Sequence, residues 1–282
     1  MFLVQFLNAL SYSVILFLLS SGLALMFGLM NIVNLSHGTL YMISGYVGYS
    51  VAKYTNSFII ALIGGIACAA FLSFLIERGL LRYLKVHLNQ ILVSFGLIYV
   101  LLNLARDIWG GHINFVDEPA LLSGTIQIFG VTYSAFRCFL ILIGLSLATG
   151  LWLLEAKTKI GAIIRAGVDD LQMLEAMGKN AKLIFTLIFA FGGALAGLGG
   201  VLGSVLSGAS LGVADEVLIL SLVILVIGGI GSLKGAMLGS LIIGFADVFG
   251  KAYLPELAYF LVFCVMVVVL VVKPSGLLGE YK

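Results

Sequence analysis

The chain has 282 residues, 62% of them hydrophobic and 10% charged, with a mean hydropathy of +1.20. A soluble domain carries charge on about a quarter of its residues, so the composition excludes one and reads as a polytopic membrane protein. The net charge of +2 leaves no basic footprint for nucleic acid, and continuous apolar runs in place of alternating segments of ~10 residues exclude a β-barrel.

The expectation is an all-α transmembrane bundle forming one domain over residues 1–282. A hydrocarbon core ~30 Å thick needs ~20 helical residues per crossing. Apolar runs that can serve fall near 5–27, 39–53, 58–76, 89–105, 137–154, 183–206, 217–233, 235–250 and 257–272. Several are short, so the reading is eight or nine spans. The first run starts almost at Met1 without a basic leader and reads as a retained span, not a cleaved signal. The 35 glycines and 3 prolines suit helices packed closely in lipid.

Basic residues set the expected orientation. Arg78, Arg82 and Lys85 form one cluster, five more basic residues lie between Lys157 and Lys182, and Lys273 and Lys282 lie at the tail. Span parity puts all three clusters on the cytoplasmic side. The loops 54–57, 106–136, 207–216 and 251–256 then face out, and so does the N-terminus if the first three segments all cross. If residues 28–53 re-enter instead, the N-terminus is inside. Within the long outer loop 106–136, Gly124–Tyr133 alternates around a turn glycine and reads as a hairpin. It serves either as a cap over the helices or as a contact surface for an external protein.

Four stretches carry polar residues of interest. Between the first two spans, Asn31, Asn34, Ser36 and His37 interrupt the apolar pattern in GLMNIVNLSHGTLYMISG. They suggest a broken helix pair, with Ser36 capping a helix that begins near His37 and offers free N–H groups to a carboxylate. The alternative is a plain loop with His37 bonded to backbone. The charged loop 157–182 contains a helix-prone segment, Leu171–Met177. Asp169 and Asp170 lie at its start, Glu175 and Ala176 near its end, and Gly178 and Asn180 where a C-cap belongs. It reads as a short helix along the cytoplasmic face, either merely solvated or docked into a partner's cleft.

Gly228–Gly239 (GGIGSLKGAMLG) marks a tight turn between spans and does not complete a phosphate-binding P-loop. Asp247 lies late in an apolar run. It is a functional candidate as an intramembrane acid, or a partner for Lys251 four residues on. Cys68, Cys138 and Cys264 read as small core residues. His37, His87 and His112 sit in separate loops, so neither a catalytic nor a metal centre is expected.

These stretches together resemble the LivH-type permease subunit of bacterial branched-chain amino-acid ABC transporters, nearly end to end. GLMNIVNLSHGTLYMISGY is similar to that family's N-terminal signature, with Asn34, Ser36, His37 and Gly38 on its core. His-Gly at 37–38 favours the LivH type over its LivM-type partner. RAGVDDLQMLEAMGKNAK is similar to the family's coupling loop, where Arg165, Ala166, Asp169, Asp170, Gly178 and Asn180 take the characteristic places. GGIGSLKGAMLGSLIIGFADVFG and KPSGLLG resemble the late motifs. Lys179, Lys234 and Asp247 depart from the usual residues, which leaves specificity and partner matching open.

The resemblance implies a multi-pass protein of the bacterial inner membrane, surrounded by lipid, that works by alternating access. Its implied partners are a second, LivM-type permease, two cytoplasmic ATPase subunits and a periplasmic binding protein. ATP would bind on the ATPase subunits, and this chain would hold no cofactor. Relatives in the superfamily carry urea, amides or other amino acids. A stand-alone channel or ion-coupled transporter would need paired intramembrane acids, and the sequence offers Asp247 alone. A scaffold without transport is the third reading.

Overall fold

The computed structural model describes residues 2–30, 34–84, 86–128, 130–159, 161–163, 166, 174, 176, 178 and 180–279. Nine long helices order themselves along these residues: α1 (Phe2–Met30), α2 (His37–Thr55), α3 (Phe58–Gly79), α4 (His87–Trp109), α5 (Ala135–Lys157), α6 (Ala181–Leu206), α7 (Val213–Gly228), α8 (Leu233–Tyr253) and α9 (Ala258–Val272). Consecutive helices run in opposite directions. Seven are long and apolar enough to cross a membrane; α2 and α7 are the two that are not. The chain is thus an all-α polytopic membrane protein.

α6 sits at the centre. Its closest neighbours are α3, α2 and α1, and α1 in turn packs along α8. Each approach to α6 runs over glycine. A Cβ on Gly22 of α1 would lie 2.6 Å from the Gly192 carbonyl oxygen, and one on Gly197 would lie 2.8 Å from Ala69 of α3. Ser73 of α3 closes the same seam by donating its hydroxyl to the Phe189 carbonyl at 2.6 Å. In lipid there is little hydrophobic drive between helices, so close van der Waals contact of small residues holds the bundle.

α2 starts inside the bundle. His37 Nε2 lies 3.1 Å from the Leu19 carbonyl oxygen, yet α1 continues to Met30, about 16 Å further at 1.5 Å per residue. The chain therefore turns back inward before α2 begins. α7 also starts deep, because Gly38 of α2 packs directly on the Ala214 carbonyl and Leu218. α7 is displaced from the apolar run 217–233, starting at Val213 and stopping at Gly228. It stops there because Gly229 (φ +100°) and Gly231 (φ +81°) take conformations that a helix cannot continue. The KPSGLLG tail then supplies donors to its last carbonyls: Leu277 N–H to Ile227 at 2.7 Å and Leu278 N–H to Gly228 at 3.0 Å.

The hairpin is present, as β1 (Thr125–Ile128) paired antiparallel with β2 (Val131–Ser134). It lies at the same end of the bundle as the start of α1, since the Tyr133 hydroxyl donates to Asn8 Oδ1 at 3.2 Å. At this end Trp109 stacks on Tyr46 with ring centroids 5.1 Å apart. An Asn114–Ala209 bridge ties the long loop to the α6–α7 connection. Among the described residues Lys53, Arg106, Arg137 and Lys251 are the basic side chains at the hairpin end. Arg78, Arg82, Lys157, Lys159, Lys182, Lys234 and Lys273 gather at the other.

The α1–α6 seam makes a direct prediction. Gly22→Val should lower the thermal midpoint of the purified protein, because overpacking a tight seam costs about 1–3 kcal/mol or more. Gly96→Ala should leave it unchanged, since nothing lies within 4 Å of that position. Size-exclusion profiles after graded heating measure both, and equal midpoints would refute the seam's role.

Candidate functional site

The sequence candidates separate into three places. Asn34, Ser36, His37 and Gly38 share one buried turn and are all buried, the first three with no exposed surface. Ser36 does not cap α2 through its side chain. Its backbone (φ −74°, ψ 3°) lacks the extended conformation that a capping residue adopts. Its hydroxyl donates instead to Asn34 Oδ1 at 2.6 Å, and the same oxygen accepts the Ser36 N–H at 3.1 Å. The His37 N–H donates to the Asn34 carbonyl at 3.2 Å, so it is not free for a ligand. Ser94 of α4 steadies the turn by accepting the Leu35 N–H at 3.3 Å. Asn34 Nδ2 and His37 Nδ1 are left without partners. Asn31 lies outside the described residues.

The loop residues form the second place. Arg165, Asp169, Asp170 and Glu175 lie outside the described residues, while Ala166, Ala176, Gly178 and Asn180 are exposed. Gly178 has φ +76°, the conformation that ends a helix. Asn180 belongs to the next element rather than to a C-cap: its Oδ1 accepts the Leu183 N–H at 3.1 Å and caps the start of α6. The loop therefore feeds directly into the central helix.

Just beyond it lies a group that the sequence reading missed. Glu77 of α3 is 1% exposed and accepts three guanidinium hydrogen bonds from Arg82 at 3.0–3.1 Å. Thr186 of α6 donates to Glu77 Oε2 at 2.8 Å, Arg82 also meets the Thr186 hydroxyl, and Arg82 reaches the Lys182 carbonyl at 3.1 Å. This knot pins the base of α6 to α3. The signal available beforehand was a glutamate five residues before an arginine at a span end.

The third place is Asp247, and it does pair with Lys251: Nζ to Oδ2 is 2.9 Å. Lys251 also meets Glu216 of α7 at 3.1 Å. Asp247 and Lys251 line a cavity of about 390 Å³ at the hairpin end, with Gln5, Asn8, Tyr12, Tyr41 and Arg137. Arg137 donates to Asn8 Oδ1 at 2.8 Å. Burial pushes the Tyr133 phenol above its ordinary pKa, so its hydroxyl stays protonated and keeps donating to the same oxygen. At the opposite end an apolar cavity of about 490 Å³ opens between α1, α5, α6 and α8, lined by Leu25, Leu151, Leu154, Ile184, Leu187 and Phe191 among others. Among the described residues no cluster of three or more metal-binding side chains occurs.

The bundle thus joins helices of membrane-spanning length to a polar cavity at one end and an apolar one at the other, the form of a membrane protein with room for a solute. The family described as the permease component of the branched-chain amino acid transport system matches residues 5–270, and the chain belongs to it. It is 28% identical to the high-affinity branched-chain amino acid transport system permease protein BraD of Pseudomonas aeruginosa, over 99% of this chain and 96% of that protein. It is 27% identical to the corresponding permease protein LivH of Escherichia coli K12, again over 99% and 96%. No solved structure matches it. The chain is thus a transport component, not an enzyme, and a multi-pass protein of the bacterial inner membrane.

Breaking the knot should be costly. Arg82→Ala strands a buried carboxylate, and losing one partner of a buried pair costs about 3–5 kcal/mol. The paired change Glu77→Leu with Arg82→Met should recover most of the loss. Thermal midpoints of the two variants test this, and a single variant as stable as the wild type would refute it.

Proposed function

We propose that this chain is one permease half of an ATP-driven importer for branched-chain amino acids. The near full-length family match carries the reading. A second, LivM-type permease completes the pore, two cytoplasmic ATPase subunits bind ATP, and a periplasmic binding protein delivers the solute. The chain passes through the membrane nine times, seven times as full-length spans and twice as α2 and α7, which start inside the bundle. The hairpin end faces the periplasm and the basic end faces the cytoplasm, as the positive-inside rule requires.

The 157–182 loop is the docking element for an ATPase subunit. Closure of the ATPase pair pulls on it, and Asn180 and the Glu77–Arg82–Thr186 knot pass the movement into α6 and α3 together. Asn34, Ser36, His37 and Gly38 form the buried hinge at the helix break along the solute path, and Asn31, just before it in sequence, belongs to the same path. Asp247 belongs to the outer mouth.

Affinity purification from the native membrane should recover two P-loop ATPases and a second permease. In liposomes, leucine uptake should require both ATP and the binding protein. A chain that purifies alone and transports without ATP would overturn the reading. Gly178→Pro should cut uptake at least tenfold and abolish stimulation of ATP hydrolysis by loaded binding protein, because proline cannot adopt φ +76°. Normal stimulation in that variant would refute the docking role.

A further inference from the structure

The cavity at the hairpin end holds an unusual charge arrangement. Lys251 is fully engaged, bound to Asp247 Oδ2 and Glu216 Oε1 and lying over the rings of Tyr12 and Tyr259 at 5.9 and 5.6 Å. Two carboxylates thus share one ammonium. Asp247 is 1% exposed, and its second oxygen, Oδ1, has no partner. From α5, Arg137 lines the same cavity; among the described residues its guanidinium has no carboxylate partner and meets the neutral groups Asn8 Oδ1 and the Tyr133 phenol. The α8 side therefore carries an unmet negative charge and the α5 side an unmet positive one. Counted together, Asp247, Glu216, Lys251 and Arg137 are neutral.

Charged side chains at membrane depth are costly and mark solute paths. A neutral set with separated, unsatisfied poles disfavours a net anion or cation and complements a zwitterion. The volume of about 390 Å³ lies within the ~300–1,000 Å³ range of small-molecule sites. The rest of the wall includes Ile15, Leu206, Val248 and Ala252, apolar surface for a hydrocarbon side chain.

We propose that this cavity is a binding site for a free zwitterionic α-amino acid, with its carboxylate on Arg137 and its ammonium on Asp247 Oδ1. The proposal rests on the importer reading above and names the outer station of its solute path. Tyr12 and Tyr41 wall the ligand laterally, and Lys251, on the same wall, holds Asp247 in place through its Oδ2.

The test uses the whole importer reconstituted in liposomes, with a diazirine analogue of leucine as photolabel and leucine uptake measured in parallel. Label is expected in peptides covering residues 5–15 and 247–252. Excess leucine should suppress it, whereas leucinamide, which lacks the carboxylate, and 4-methylpentanoate, which lacks the ammonium, should be at least tenfold weaker competitors. Arg137→Gln and Asp247→Asn should each reduce this labelling at least tenfold. Should either variant fail to assemble, competition on the wild type decides alone. Leucine uptake by the wild type with label confined elsewhere, or with equal competition by leucinamide, overturns the site and leaves the importer standing. Absence of ATP-driven leucine uptake by the wild-type assembly overturns the importer reading, and the site with it.

Discussion

The structure depends on backbone contact along α6. Glycines on different faces of this helix let α1, α2 and α3 approach without intervening side chains. In lipid, such contact is the main attraction available between apolar helices, because the surrounding chains are as apolar as leucine. The outer helices α5 and α9 follow a different logic. Their spans are mostly exposed, and they use large apolar side chains that face lipid or a partner.

Polar groups appear where that glycine framework must be held in register. At the basic end, Glu77, Arg82 and Thr186 tie α3 to α6. At the hairpin end, Lys251 ties α8 to α7 through Glu216, and Asn8 ties α1 to both the hairpin and α5. Two of these ties, α3 to α6 and α1 to α5, join helices that are distant in sequence, and the third joins the neighbours α7 and α8. The bundle is thus fastened at both ends, with the buried Asn34–Ser36–His37 turn and the Ser73–Phe189 bond as polar contacts between them.

α2 and α7 complete the framework from within. Both start beside each other inside the bundle, where Gly38 meets Ala214. The buried Asn34 amide substitutes for water at the first of these starts by accepting the Ser36 N–H and hydroxyl. Irregular backbone at membrane depth is tolerated only when protein surrounds it in this way. The unpartnered nitrogens of Asn34 and His37 at this turn are the polar capacity left over.

The sequence by itself determined the all-α membrane class, the positions of most helices and the hairpin, and before His37 it left a broken helix pair and a plain loop both open. Hydropathy runs, turn glycines and polar interruptions are local signals, and they were legible residue by residue. The i, i+4 pairing of Asp247 with Lys251 was legible for the same reason. The end of α7 was not, because two left-handed glycines and a tail from the chain's far end set it. Nor was the role of Asn180, which depends on where α6 starts. Only the tertiary structure placed Arg137 in one cavity with Asp247, linked Glu216 to Asp247 through Lys251, set Glu77 against Thr186, and made Ser36 donate to Asn34 instead of capping. These contacts join residues up to a hundred or more positions apart, and in a chain this apolar, sequence pattern does not reveal which helix faces meet.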